Sequence, residues 1–213
     1  MSHWWKMIDV MRLVKARVEG YRCVKDETID LGSLTALVGS GGVGKSALLR
    51  AIDWCVNERP VEEEDLYRDP EGNAAERIVV TLHFADIGQA EAEALGRYAA
   101  GDQTTIARIW VPEESPLLSG SAYFYKLFDT VRAEKGAKRT AAYKALFDAE
   151  GEKKGYPTPR ATKVADVDAH MAQFERENAN LCELRPPEAT HLYGFTSGPK
   201  LREWPSLKRL LEV

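Results

Sequence analysis

The stretch GSGGVGKS, residues Gly39 to Ser46, decides how this chain is read. Glycines lack the Cβ that would keep successive backbone N–H groups from converging on a phosphate. The lysine adds a full positive charge, and the serine hydroxyl suits a hard divalent cation. Before the loop runs SLTALV, Ser33 to Val38, an apolar run of strand type. After it runs KSALLRAIDWCVN, where Leu48, Leu49, Ile52 and Val56 share one face of a helix starting near Lys45. Strand, glycine loop, helix is the context in which G-x-x-x-x-G-K-[ST] holds phosphate, because the helix N-terminus adds partial positive charge. The candidate nucleotide-binding residues are therefore Gly39, Ser40, Gly41, Gly42, Val43, Gly44, Lys45, Ser46 and Ala47. Lys45 is the candidate catalytic residue, reaching the β and γ phosphates, and Ser46 the candidate ligand of Mg²⁺.

Composition sets the limits around that loop. The chain has 213 residues, 44% hydrophobic and 29% charged, which suits a globular core rather than disorder. A net charge of -4 gives no whole-surface electrostatic case for nucleic acid. No apolar run approaches the ~20 residues of a membrane span. The opening MSHWWKMIDV lacks the apolar centre of a signal peptide, so the chain is read as cytoplasmic, with no membrane partner. Cys23, Cys55 and Cys182 are odd in number and widely spaced, which reads as reduced thiols and no metal site. His3, His83, His170 and His191 lack ligand spacing and read as surface or packing residues. EEED, Glu62 to Asp65, lacks the glycine and spacing of a calcium loop and reads as solvated.

The residues before the loop narrow the class. Val14, Ala16 and Val18 alternate with Lys15, Arg17 and Glu19, a strand with one buried face. GYRCVKD reads as a turn and Thr28 to Leu31 as a second strand, closed by Gly32. This order, with Tyr21-Arg22 at the turn and Asp30-Leu31-Gly32 at the corner, resembles the N-terminal lobe of SMC-like ATPases. It is most similar to the overcoming-lysogenisation-defect (OLD) family of ATP-dependent nucleases. The likeness is strong over residues 11 to 57 and looser to residue 112, where DLY, IVVTLHF, a helix and TIARIW follow in the family's order. The resemblance implies an α/β fold: a P-loop NTPase, the N-terminal lobe of an ABC/SMC-type ATPase head, with a mixed sheet and a helical insertion. It implies ATP and Mg²⁺ as cofactors, with Arg22 and Lys25 near the nucleotide. It implies hydrolysis once a C-terminal half and a second protomer are present, in a homodimer or with a partner supplying the signature and Walker B motifs. DNA processing or phage defence follows from the resemblance alone.

A second likeness competes. GSGGVGKSALL resembles the phosphate loop of Ras-like small GTPases, and Gly41 stands where ABC and SMC loops carry Asn. A GTPase needs D-x-x-G, and after Asp86 the glycine, Gly88, comes one residue early. It also needs N-K-x-D to read guanine, and TKVAD, Thr162 to Asp166, has the wrong first residue and spacing. ATP is therefore the expected nucleotide, with GTP the alternative.

An ABC head also needs an apolar run ending in Asp-Glu, and IVVTLHFAD ends at Asp86 with no Glu following. LLSGSAY, Leu117 to Tyr123, falls short of the LSGGQ signature at Ser121 and reads as an ordinary loop. Helical stretches are expected near Tyr123 to Arg132 and Thr140 to Glu150, followed by a linker, GEKKGYPTPRAT. In KVADVDAHMAQFERENANLCEL, Val164, Val167, Met171, Phe174 and Leu181 keep 3-4 spacing, with Asn178 at the remaining seam position. That predicts an amphipathic helix packed on its own domain, the base of a coiled-coil arm being the alternative. The expected organisation is an N-terminal extension over 1–10, the ATPase lobe over 11–115, a helical insertion over 116–190 and the start of a truncated C-terminal part over 191–213. Were the chain complete, the missing Asp-Glu pair would favour a non-hydrolysing nucleotide sensor.

Overall fold

The computed structural model describes residues 11–57, 59–95 and 98–187; the expected extension 1–10 and the segment 191–213 lie outside them. The fold is α/β, a five-stranded sheet with helices before and after its later strands. β1 (Arg12–Tyr21) and β2 (Val24–Asp30) form a hairpin across the Arg22–Cys23 turn, pairing from Lys15↔Asp30 to Tyr21↔Val24. α1 (Lys45–Asn57) follows, then β3 (Ile78–Ala85), α2 (Gln89–Leu95), β4 (Thr104–Trp110) and β5 (Leu117–Gly120). The strand order is β2-β1-β3-β4-β5, with every pairing antiparallel.

The alternation read in β1 holds for its middle residues. Ala16 and Val18 are fully buried, beside Val80, Leu82 and Phe84 of β3 and Ile106 of β4. α1 covers that face with Ala47, Ala51, Trp54, Cys55 and Val56. The opposite face carries ion pairs suited to water, Arg17 with Asp26 at 2.9 Å and Lys15 with Asp30 at 3.4 Å. Arg108 of β4 is buried, yet its guanidinium Nε donates to the carbonyl of Cys55 in the last turn of α1 at 2.9 Å. A cation there meets the partial negative charge of the helix end.

Several elements differ from expectation. Ser33 to Val38 forms no strand, and Ser33 and Leu34 lie in a bend. LLSGSAY is not a loop: Leu117 to Gly120 is β5, paired with β4 from Ile109↔Leu117 to Ile106↔Gly120. Ala122–Phe124 is β6, paired with β7 (Glu183–Arg185). The helix expected from Tyr123 starts later, as α3 (Phe128–Ala133). α4 (Gly136–Leu146) then runs into a π-helical turn over Phe147–Gly151 and the short α5 (Glu152–Lys154). α6 (Val164–Glu177) ends before Asn178 and Leu181, so the 3-4 spacing outlasts the helix. Its buried face, Val167, Met171 and Phe174, packs within this chain rather than along a coiled-coil seam.

These later elements build a second core, rich in aromatic rings. Tyr125, Phe128, Tyr143, Tyr156 and Phe174 meet mostly edge-on or tilted, at centroid distances such as 4.9 Å for Tyr156 and Phe174. Tyr156 and Ala161 come from the stretch expected to be a linker, so it is packed into this core. Burial pushes the Tyr143 hydroxyl up to about 12. Arg132 and Glu175 form a buried pair at 2.6 Å, and Glu175 also accepts the backbone N–H of Tyr125 at 2.8 Å. Glu175→Ala leaves Arg132 buried without that carboxylate and is expected to lower stability by about 3–5 kcal/mol in urea unfolding. Arg160→Ala, which breaks the exposed pair with Asp148, is expected to lower it by about 1 kcal/mol or less in the same measurement.

Candidate nucleotide-binding site

The glycine loop arrives at the β1–β2 turn. A Cβ added to Gly44 would lie 3.4 Å from Cys23 Sγ and 3.5 Å from Val24 Cγ2, so the loop rests on that turn. Gly44 has φ +93°, a conformation other residues rarely adopt. The first helical hydrogen bond of α1 runs from Leu48 N–H to Gly44 C=O at 2.9 Å. The N–H groups of Lys45, Ser46 and Ala47 are thus left without acceptors within the helix. They open at the positive end of a 13-residue helix. Lys45 Nζ folds back and donates to the carbonyls of Gly39 at 2.8 Å and Ser40 at 2.6 Å. Gly39 to Ala47 therefore form one compact turn, with a cation and free N–H groups at one end of α1.

This arrangement suits a polyphosphate: backbone N–H donors, an ammonium beside them, and no carboxylate from the loop itself. Its fit to Mg²⁺ is partial. Ser46 is exposed and offers one hydroxyl, and the described residues hold no group of three or more His, Cys, Asp or Glu side chains placed to hold a metal ion. A hard six-coordinate ion at Ser46 would take its other oxygens from phosphate, water or residues beyond those described.

The other sequence candidates fall in different places. Arg22, at φ +52°, donates from Nε to Asp65 at 2.7 Å, and its backbone N–H donates to the Asp65 carbonyl at 2.6 Å. The Asp65 hydrogen bond holds the Arg22 guanidinium above its usual range. The acidic run Glu62 to Asp65 is therefore not simply solvated, since its last residue clamps the β1–β2 turn. Nothing in the local composition signalled this, because the partners lie 43 residues apart. Asp86 pairs with Arg12 on β1, away from the loop. His83 lies against Thr105 at 2.9 Å, and burial, then Lys15, hold its imidazole below the usual range. His170 lies 3.3 Å from the Tyr143 hydroxyl, while His3 and His191 lie outside the described residues.

The approach to the loop is apolar and bare. Leu34 and Val38 are each 92% exposed, Val43 59% and Leu49 57%. The last ladder contact before them is Leu31 N–H to Val14 C=O at 2.8 Å. A strand needs a neighbour to accept its N–H groups, and among the described residues Ser33 to Val38 has none.

A sequence model of the AAA ATPase domain matches residues 11–158, and the chain belongs to that family. It carries a P-loop-type ATPase domain. A curated relative, the OLD nuclease of Thermus scotoductus, is 49% identical over 46 residues, which is 22% of this chain and 9% of the relative. The chain thus spans a small fraction of that protein's length. Among solved structures, the SMC head domain from Thermotoga maritima aligns at 21% identity and TM-score 0.39, covering 51% of this chain and 36% of that one. The Smc head domain derived from Pyrococcus furiosus, solved with an extended coiled coil and bound to the C-terminal domain of ScpA, aligns at 19% and TM-score 0.42. That alignment covers 52% of this chain and 29% of the other. No described helix is long and apolar enough to cross a membrane.

Two glycines of the loop should respond differently to substitution. Gly44→Ala forces a side chain into a left-handed conformation and is expected to destabilise by about 1–3 kcal/mol. Gly41→Asn has open space around it and is expected to leave the melting temperature unchanged. Differential scanning calorimetry of both variants checks the contrast.

Proposed function

We propose that the chain binds Mg²⁺-ATP through Gly39 to Ala47. Lys45 faces the β and γ phosphates, the N–H groups of Gly41 to Ala47 cradle them, and Ser46 ligates Mg²⁺. The observation that carries this reading is the junction itself: N–H groups at the start of α1 that have no acceptor among the described residues, beside an ammonium held by loop carbonyls. Membership of the AAA ATPase family supports ATP over GTP. Hydrolysis follows when a C-terminal half and a second protomer bring a metal-binding Asp, a general base and a signature loop. The bare apolar approach, Leu34 and Val38, supports that completion, because it leaves apolar side chains for a further segment to cover. The OLD nuclease likeness supports a role in DNA processing or phage defence, in the cytoplasm. Under this reading 11–115 is the ATPase lobe and 116–190 its insertion. A sensor without turnover is the second reading, favoured for the isolated chain because its sequence holds no apolar run ending in Asp-Glu.

Titration of the purified chain with Mg²⁺-ATP and Mg²⁺-GTP tests the proposal. ATP is expected to bind at least as well as GTP, and Lys45→Ala to weaken ATP by roughly ten- to a hundred-fold, the loss of one charge-assisted contact. Unchanged affinity in Lys45→Ala would sink the site, and tight GTP binding that excludes ATP would sink the choice of nucleotide.

A further inference from the structure

The stretch from α4 to the start of α6 has a charge of its own. From Lys135 to Lys163 the sequence carries eight lysines and arginines against three acids, within a chain whose net charge is -4. Two of the acids are already engaged or hidden. Asp148 is paired with Arg160 at 2.7 Å, and one Glu150 carboxylate oxygen is buried. Both arginines are engaged as well, Arg160 with Asp148 and Arg139 with Asp168 at 3.1 Å. Lys135, Lys138, Lys144, Lys153, Lys154 and Lys163 remain. Each is exposed, and none makes a hydrogen bond or ion pair among the described residues.

These lysines share a surface. Tyr143 and Leu146 pack into the second core, so the opposite side of α4 is its solvent side. Lys135, Lys138, Ala141 and Lys144 follow at three-residue intervals, and all are exposed. Residues so spaced are neighbours on a helix, ~5–6 Å apart at Cβ. Lys138 and Lys144 stand about 60° to either side of Ala141, whose short methyl leaves the helix surface low between them. Lys163 joins them from the start of α6. It precedes Asp168 by five residues, as Lys135 precedes Arg139 by four, so both lie about one helical turn from the same ion pair. Past the π-helical turn, Lys153 and Lys154 extend the run to roughly 27 Å along the helix axis, about eight base pairs of duplex at 3.4 Å each.

The side chains around the lysines select among polyanions. Tyr143, Phe147 and Tyr156, the rings of this stretch, pack into the second core, away from any unpaired base that would stack on them. Arg139 and Arg160, suited to bidentate contact with guanine, face carboxylates instead. The ammonium groups meet phosphate as point charges. Contacts of that kind position a protein on a duplex without reading its sequence.

We propose that this surface binds the phosphate backbone of a nucleic acid duplex, without sequence preference. Lys135, Lys138, Lys144 and Lys163 make the central contacts, and Lys153 and Lys154 extend them. The surface is built from elements other than those of the glycine loop, so the inference holds whichever nucleotide that loop takes. Its positive charge is local, which is why the acidic balance of the whole chain conceals it.

Fluorescence anisotropy of a labelled DNA duplex of about 20 base pairs, titrated with the full chain between about 50 and 200 mM salt, tests this. Binding is expected at the low end, with log K falling linearly against log salt concentration, and duplexes of unrelated sequence are expected to bind alike. The double variant Lys138→Ala, Lys144→Ala is expected to weaken binding by about tenfold or more at low salt and to reduce the magnitude of that slope by about two. Both lysines are exposed and unpaired, so its melting temperature is expected to match the wild type's. The double variant Arg59→Ala, Arg68→Ala, which removes two exposed cations from outside this stretch, is expected to bind as the wild type does. Wild-type chain that binds no duplex at low salt, or a lysine variant that binds like the wild type, overturns the proposal. Equal loss in the two double variants also overturns it, since overall charge would then be the cause. Tighter binding of polyglutamate than of the duplex overturns it in favour of an acidic protein partner.

Discussion

The seating of α1 on a single face of the antiparallel sheet governs the rest of the molecule. Ala51, Trp54, Cys55 and Val56 lie buried against β1, β3 and β4, so the helix axis is fixed by side chains that cannot move without opening a cavity. The two ends of that helix are treated in opposite ways. At the C-terminal end a buried guanidinium, Arg108, donates to the Cys55 carbonyl. At the N-terminal end the donors stay open, with the glycine turn and the Lys45 ammonium before them among the described residues. A helix closed at one end and open at the other is a fixed dipole with one usable pole. The β1–β2 turn then determines where that pole faces, because Gly44 lies on it.

What could be read from the sequence was what local chemistry controls. The glycine loop, the helix after it and the middle of β1 each carry their signal within a few residues, and each formed where expected. The parts that could not be read depend on distant partners. Ser33 to Val38 has the composition of a strand, but composition supplies no neighbour to bond with. Leu117 to Gly120 has the composition of a loop, yet β4 lies beside it and pairs with it. Asp65 reads as one of four solvated acids, yet Arg22 lies against it. Tyr156 lies in a polar, glycine- and proline-bearing stretch, yet its ring and Ala161 are packed in the core.

The second core shows a different balance. Its rings are held by shape, but its orientation depends on charge: Arg132 with Glu175, Arg139 with Asp168 at 3.1 Å, and Arg185 with Asp129 at 2.6 Å. Each pair joins two elements separated in sequence, α3 to α6, α4 to α6, and β7 to α3. Such pairs contribute little net stability where they are half exposed, but they specify which helix faces meet.

The bare apolar approach to the glycine loop has a thermodynamic consequence. A Leu or Val side chain brought fully out of water gains about 1.5–3 kcal/mol, so Leu34 and Val38 together hold about 3–6 kcal/mol in reserve. That reserve is available only to a covering chain, and it is attached directly to Gly39. Any strand that claims it stiffens the residues that precede the glycine turn. Under the proposed reading, assembly and ligand affinity at this site are then coupled quantities, and the coupling acts equally in both directions. A ligand that orders the turn would tighten the hold on the covering strand by the same factor by which the strand tightens the hold on the ligand.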